Sequence, residues 1–235
     1  MIMDLPPVNA IQQAVPALNA AVAQRAEAVL DCGVAGADPR QLIIFDASKR
    51  ASDDRFFVLD LRDRRNPRLI LESKVAHGRG SDPRGLGIIQ RFSNAASSGA
   101  TSLGLYRVAE RYIGKHGASY RLDGLTPGFN DNARARAVVM HPARYVGDAN
   151  AGRSLGCPAV PHAVMDQLAR HGLQDTYLLI DDGSDQLARP FTCSASKGVQ
   201  KDTRPANGLP DTQMMCKPQF SFALGTGIEQ ACHRA

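Results

Sequence analysis

The sequence predicts a mainly β domain of the α+β class, and three observations carry that prediction. Six short runs rich in β-branched, aromatic and aliphatic residues lie between positions 41 and 141, separated by turn clusters. The segments between them lack the ten or so helical residues that a βαβ crossover needs, which favours an antiparallel sheet or sandwich. Helical spacing is confined to one stretch before this region and one after it. With 235 residues, 43% of them hydrophobic, the chain can bury one sizeable core and carry appendages.

Taken in order, residues 8–30 are Ala-rich, and Ile11, Val15, Leu18, Val22 and Val29 recur at helical intervals. Pro16 interrupts them, so the spacing predicts a kinked helix or two helices. Strands follow at 41–46, 55–61, 68–76, 101–106, 119–122 and 137–141. Ser52-Asp53-Asp54, Arg65-Asn66-Pro67 and Pro127-Gly128 supply the turns between them. Pro161 suits the first turn of a helix that runs through Val164, Leu168 and Ala169 and stops near Gly172. Residues 177–180 read as a further strand. Three segments result: an N-terminal helical segment (1–40), a β domain (41–182) and an irregular C-terminal extension (183–235).

Composition narrows the function. No apolar stretch approaches the roughly 18 residues of a membrane-spanning helix, so no transmembrane segment is expected. The net charge of +5 suits an anionic partner, but the Lys and Arg are dispersed and no basic run is interleaved with aromatics. Nucleic acid is therefore disfavoured, and the charge alone does not choose among the other anionic partners, a lipid surface or a cell wall. The first residues show no basic and then apolar leader, so the protein is cytosolic, or its leader was cleaved or left out of this sequence.

The five cysteines are Cys32, Cys157, Cys193, Cys216 and Cys232. None forms a CxxC pair and no His stands at metal-ligand spacing from them, which argues against zinc. Cys32 and the three tail cysteines can make two bridges in any of three connectivities, a staple suited to an exported protein, leaving Cys157 as the free thiol. The alternative is five reduced cysteines in a cytosolic protein.

The chemistry concentrates in His141-Pro142-Ala143-Arg144-Tyr145-Val146 and Gly152-Arg153-Ser154-Leu155-Gly156-Cys157-Pro158-Ala159-Val160. A nucleophilic thiol needs a base or a positive charge beside it and donors for the oxyanion formed on attack. Gly156 permits close backbone approach, Ser154 adds a small hydroxyl, and His141 ends an apolar strand 16 residues before Cys157. A structural cysteine between glycine and proline and an ordinary strand-end histidine satisfy the same residues equally well.

HPARYV with GRSLGCPAV resembles the signature of the L,D-transpeptidase catalytic domain (YkuD-like), a histidine followed after a loop by Ser-x-Gly-Cys. VAHGRGS, FSN, TSLGLY, GKHGASYRLDGL and NDNARARAVVMH are similar to companion blocks of its proteobacterial murein branch, so the resemblance runs over about residues 42–180. It implies a sandwich of that family's type and a periplasmic cysteine acyltransferase acting on peptidoglycan stem peptides, with no metal or organic cofactor. Cys157 is then the nucleophile, partly thiolate near neutral pH, and His141 its base. Ser154 supports the site, and the amides of Gly156 and Cys157 form the oxyanion hole. Tyr106 is implied as a substrate wall. His77 and Arg153 are implied either as contacts to a substrate carboxylate or as supports behind the site, and Arg136 as a contact to substrate, with Arg134 either reaching a diaminopimelate carboxylate or holding the strand that leads to His141. His116, His162 and His171 are expected to be solvated. Pro142 and Ala159 replace the glycine and arginine common in the family, which puts the choice of stem carbonyl in question. The implied reaction passes a stem acyl group through a thioester to a diaminopimelate amine. A hydrolase using water as acceptor, and a wall-binding module without catalysis, are the alternatives.

Overall fold

The computed structural model describes residues 9–32, 39–173 and 175–187, all of which belong to one compact unit. The N-terminal segment forms two helices, α1 (Ala10–Ala14) and α2 (Ala20–Asp31), with Pro16 between them. Asn9 and Asn19 cap them, their side chains accepting from the amides of Gln12 and Ala21. Ile11, Val22, Ala26 and Val29 enter the same hydrophobic core as the sheet. A buried ion pair joins Arg25 to Asp181, and the Asn19 amide donates to Asp46 Oδ2 at 2.9 Å. The helices are thus tied to the sheet by polar contacts as well as by burial.

Eight strands are hydrogen-bonded into one order. In chain sequence they are β1 (Gln41–Asp46), β2 (Phe56–Asp60), β3 (Arg68–Ser73), β5 (Gly104–Gly114), β6 (Gly117–Gly124), β7 (Val139–Pro142), β9 (Ala159–Val160) and β10 (Thr176–Asp181). Across the sheet they run β3-β2-β1-β10-β5-β6-β7-β9, and the two-residue strands β4 (His77–Gly78) and β8 (Arg153–Ser154) pair separately. The fold is mainly β with few helices, as the sequence predicts, but the pairing is mixed: β1 with β10, β7 with β9, and β4 with β8 are parallel. The physical reason lies in β1 and β10, whose apolar residues form unbroken runs buried throughout. Strands covered on both faces, as parallel strands are, take this pattern, whereas one-sided antiparallel strands alternate.

A second difference concerns the strand expected at 101–106. It begins at Gly104 and continues to Gly114, pairing with β6 in a long hairpin. Charged residues disguise its outer half, where Arg107 pairs with Asp123 and Arg134 pairs with both Glu110 and Asp123. Gly114 faces Gly117 across Lys115 and His116, and Gly117, at a φ of 94°, takes the glycine position that follows a type I turn and closes it with a bulge. The helix α3 (His162–His171) follows Pro161 and stops at Gly172 (φ 75°), burying Met165 and Leu168. The expected irregular extension beyond residue 187, and the bridges expected of Cys193, Cys216 and Cys232, lie outside the described residues. Cys32 is disulfide-bonded and Cys157 is a free thiol.

Because Ile11 is wholly buried in the common core, Ile11→Ala should lower stability by roughly 2–5 kcal/mol in urea unfolding. A loss below about 0.5 kcal/mol, the range of a surface substitution, would show that α1 is peripheral to the folded unit.

Candidate active site

The cysteine loop is held from below by backbone. β8 lies parallel to β4, with His77 opposite Arg153 and Gly78 opposite Ser154. A Cβ on Gly78 would fall 2.3 Å from the Gly99 carbonyl oxygen and 2.8 Å from Gly156 Cα. One on Gly156, whose φ is 119°, would fall 2.8 Å from the Ala100 oxygen. Only glycine fits where these segments cross. Ser154 closes the loop above them, donating from Oγ to the Cys157 carbonyl at 2.6 Å and accepting from the Gly156 amide at 3.1 Å. The expectation that Gly156 supplies an oxyanion donor is therefore corrected: its N–H is engaged by Ser154, and what Gly156 contributes is the absence of a side chain.

Arg136 locks the same crossing from the side. Nη1 donates to Ser93 O and Ser102 Oγ, both at 2.9 Å, and Nη2 donates to Ala100 O at 2.7 Å and Ser98 Oγ at 3.2 Å. Its donors hold the strap 93–102 against Gly156, so the expected substrate contact is replaced by a structural clamp. Arg134 likewise is occupied, by Glu110 and Asp123.

Cys157 and His141 lie on neighbouring segments. His141 on β7 pairs with Ala159 on β9, and Cys157 precedes Ala159 by two residues. The Val139 amide donates to Cys157 Sγ at 3.4 Å. His141 Nδ1 lies 2.9 Å from the Pro142 carbonyl, which can only accept, so Nδ1 carries the proton and Nε2 keeps a lone pair. The His141 ring stacks on that of His116, centroids 4.4 Å apart and planes inclined by 22°. Burial lowers the His141 pKa despite the Pro142 contact, and the charges of His116 and Lys115 lower it further. Burial raises the Cys157 pKa, against the opposing pull of the Val139 amide, Arg136 and Lys115. Both shifts favour the neutral thiol and the neutral imidazole over the ion pair, the opposite direction from the expected partial thiolate.

Burial decides two other expectations. Tyr106 is wholly enclosed and donates its hydroxyl to Ser102 O at 2.8 Å, its pKa pushed up to about 12 by burial. It is an internal strut and offers no wall to a substrate. His77 is also wholly enclosed. Its Nδ1 accepts from Arg55 Nη2 at 2.8 Å and its Nε2–H faces Asp82 Oδ2 across 3.6 Å. Burial, then the Arg55 charge, lowers its pKa to about 4, so it stays neutral beneath the loop, where the supporting role fits and the substrate contact does not. Arg153 is exposed, with Nη1 donating to the Asp82 carbonyl at 2.6 Å.

Three residues without an assigned role in the sequence reading border the site. Tyr145 is 40% exposed, and burial followed by the nearby Cys157 charge raises its pKa. Leu155, two residues before Cys157, is 64% exposed. His116 is stacked on His141, where a solvated surface histidine was expected, because the hairpin carries its tip there. Gly-Lys-His-Gly between two strand-like runs is a hairpin signal that locates His116. Tyr145 was visible only as part of HPARYV.

The profile of the L,D-transpeptidase catalytic domain matches residues 15–180 of the chain. No curated protein matches it in sequence. Among solved structures, it is similar to Bd1075 of Bdellovibrio bacteriovorus at 20% identity, over 61% of this chain and 48% of that one, with a TM-score of 0.39. An L,D-transpeptidase from Mycobacterium smegmatis matches at 10% identity over 61% and 59% of the two chains (TM-score 0.39). One from Xylanimonas cellulosilytica matches at 20% identity over 74% and 78% (TM-score 0.36). The chain spans between about half and three-fifths of the length of the first two.

His116→Phe keeps a ring on His141 but removes a charge that opposes its protonation. The His141 pKa should therefore rise, moving the acid limb of Cys157 alkylation to higher pH; an unchanged NMR titration of His141 would sink that account. Gly156→Ala should reduce the Cys157 alkylation rate at least tenfold, through both the clash with Ala100 and the positive φ. Wild-type reactivity in that variant would show that the crossing tolerates a side chain.

Proposed function

Because this chain belongs to the L,D-transpeptidase catalytic domain family, we propose that it is a peptidoglycan L,D-transpeptidase working through a thioester on Cys157. One observation carries the reading: β7 and β9 set His141 beside the segment that bears Cys157, with Nδ1 held by Pro142 so that Nε2 is the proton acceptor. Burial favours the neutral form of both groups, and in this reading proton transfer from Sγ to Nε2 accompanies attack of the sulfur on a stem-peptide carbonyl. The oxyanion takes the Cys157 N–H, the donor left on this loop once the Gly156 amide is bound to Ser154. Collapse breaks the C–N bond, the imidazolium returns its proton to the departing amine, and the acyl group remains on sulfur. The side-chain amine of a diaminopimelate residue then attacks the thioester, His141 takes the proton lost by that amine, and the proton passes to the departing thiolate as the cross-link forms.

The donor carbonyl is that of diaminopimelate at the third stem position or of L-alanine at the first. Tyr145 and Leu155 provide the apolar surface beside the thiol that Tyr106 does not. The disulfide at Cys32 fits an oxidising compartment, which for a cell-wall enzyme is the periplasm. Among the described residues no helix is long and apolar enough to cross a membrane.

Incubation with disaccharide tetrapeptides should yield cross-linked dimers by mass spectrometry, lost in Cys157→Ala, and His141→Ala should slow acylation on the order of 10²–10⁴-fold. Shortened monomers without dimers would assign the thioester to a hydrolase. Unchanged acylation in His141→Ala would remove the base from its role.

A further inference from the structure

Beside the cysteine loop lies a cavity of about 550 Å³ to which the mechanism above assigns nothing. Its walls include Arg79, Arg153, Ser97, Ser98 and Leu155. Leu155 belongs to the loop that carries Cys157, and two residues of chain span at most about 7 Å, so the cavity adjoins the thiol. The floor is backbone packed without slack. A Cβ on Gly80 would fall 2.1 Å from the Ser98 carbonyl, and Ser97 is held at a φ of 57°, rare for a residue other than glycine.

Charge distinguishes this cavity. Among the described residues, Arg25, Arg62, Arg68, Arg107, Arg121 and Arg134 are ion-paired to carboxylates, whereas no ion pair involves Arg79 or Arg153. Arg153 is steadied by donating one hydrogen bond to the Asp82 carbonyl at 2.6 Å. The Asp82 carboxylate accepts from the amides of Leu86 and Gly87 and from Gln90 Nε2. Arg79 is exposed, and its backbone is fixed by donation to Ser154 O at 2.8 Å. Two guanidinium groups thus line one cavity together with Ser97 and Ser98, and among the described residues neither is ion-paired to a carboxylate, although the Asp82 charge acts on Arg153 from behind. Planar guanidinium donors match a carboxylate in both charge and geometry.

Resting on the transpeptidase reading, we propose that this cavity is a carboxylate-binding subsite. Arg79 and Arg153 would hold the free C-terminal carboxylate of a tetrapeptide stem, one residue beyond the diaminopimelate carbonyl that Cys157 attacks, so that the enzyme selects stems with that carboxylate free over stems in which it is amidated. The site fixes the register of the peptide along the loop, a task for which Tyr106, His77 and Arg136 are too enclosed or already engaged.

The test compares a tetrapeptide stem with a free C-terminal carboxylate and its C-terminal amide. Binding to the full chain carrying Cys157→Ala is read by calorimetry, and acylation of the wild type by intact-protein mass spectrometry. The acid should bind at least tenfold more tightly than the amide. Arg79→Gln and Arg153→Gln should each bring that ratio to within about threefold of unity, while Arg153→Lys, which keeps the charge, should retain part of the preference. A ratio is read because a folding defect weakens both ligands alike. Equal binding of acid and amide, binding of neither, or a preference untouched by both glutamine variants would overturn the subsite. Failure of the transpeptidase reading has a different signature: preferential binding of the acid with no thioester on the wild type leaves the subsite standing and removes the activity. Thioester formation from acid and amide at equal rates and affinities does the reverse.

Discussion

Backbone contact without side chains underlies the site. Gly78 and Gly80 meet the carbonyl oxygens of Gly99 and Ser98, and Gly156 meets that of Ala100, at distances that exclude a Cβ on any of the three. Such contact gives little hydrophobic stabilisation, because there are few apolar atoms to bury, and it exposes carbonyl groups that need donors. Polar side chains supply them. Arg136 donates to Ala100 and Ser93, and Arg55 donates to Val75 and Lys49. Arg136 therefore answers at Ala100 a need created by the glycine crossing, while the Gly99 carbonyl takes the Gly80 amide. Ser154 then sets the loop above this floor by bonding both the Gly156 amide and the Cys157 carbonyl.

Burial acts on the two reacting groups in opposite directions. It raises the thiol and lowers the imidazole, so the ion pair that some thiol enzymes hold at rest is disfavoured here. Positive charge partly reverses this for sulfur: Arg136 and Lys115 both favour the thiolate. Lys115 at the same time opposes a proton on His141. The hairpin tip therefore acts on both members of the pair, which gives the long β5–β6 hairpin a consequence beyond sheet formation. Its outer half is exposed and laced with ion pairs, worth little individually at a surface, yet together they join the hairpin to Arg134 just before the strand that bears His141.

Where the sequence is periodic or punctuated, it is legible. The two N-terminal helices follow from spacing and Pro16, strand 41–46 from an unbroken apolar run, and α3 from Pro161 and Gly172. The parallel pairs β4–β8 and β7–β9 were not legible, since β4, β8 and β9 have two residues each and exist only through contacts with distant parts of the chain. In the site, the Cys157 and His141 blocks stand out because their residue types are chemically unusual. The same reasoning overreached where it gave Tyr106, His77 and Arg136 to the substrate. Each is polar and lies in a motif-like block, but each is engaged with Ser102, Arg55 or the 93–102 strap. Polarity in such a block marks a group that needs partners, and a sequence does not reveal whether protein or ligand provides them.

That ambiguity resolves once each arginine's partners are known. Those paired with carboxylates tie elements together, as Arg25 ties α2 to β10 and Arg107 ties β5 to β6. Arg55 and Arg136 satisfy carbonyls beneath the loop. In both groups the charge is answered inside the fold, and for a buried pair such as Arg25 with Asp181 removing one partner leaves an unpaired buried charge that costs stability. Arg79 and Arg153 differ in that their charge faces a cavity beside the nucleophile. A net charge of +5 is too diffuse to specify a partner, but two unpaired guanidinium groups on a rigid backbone floor present a local field that an anionic peptide end can meet at little cost in reorganisation. The glycines that leave no room for side chains thus also fix the geometry in which that charge is presented.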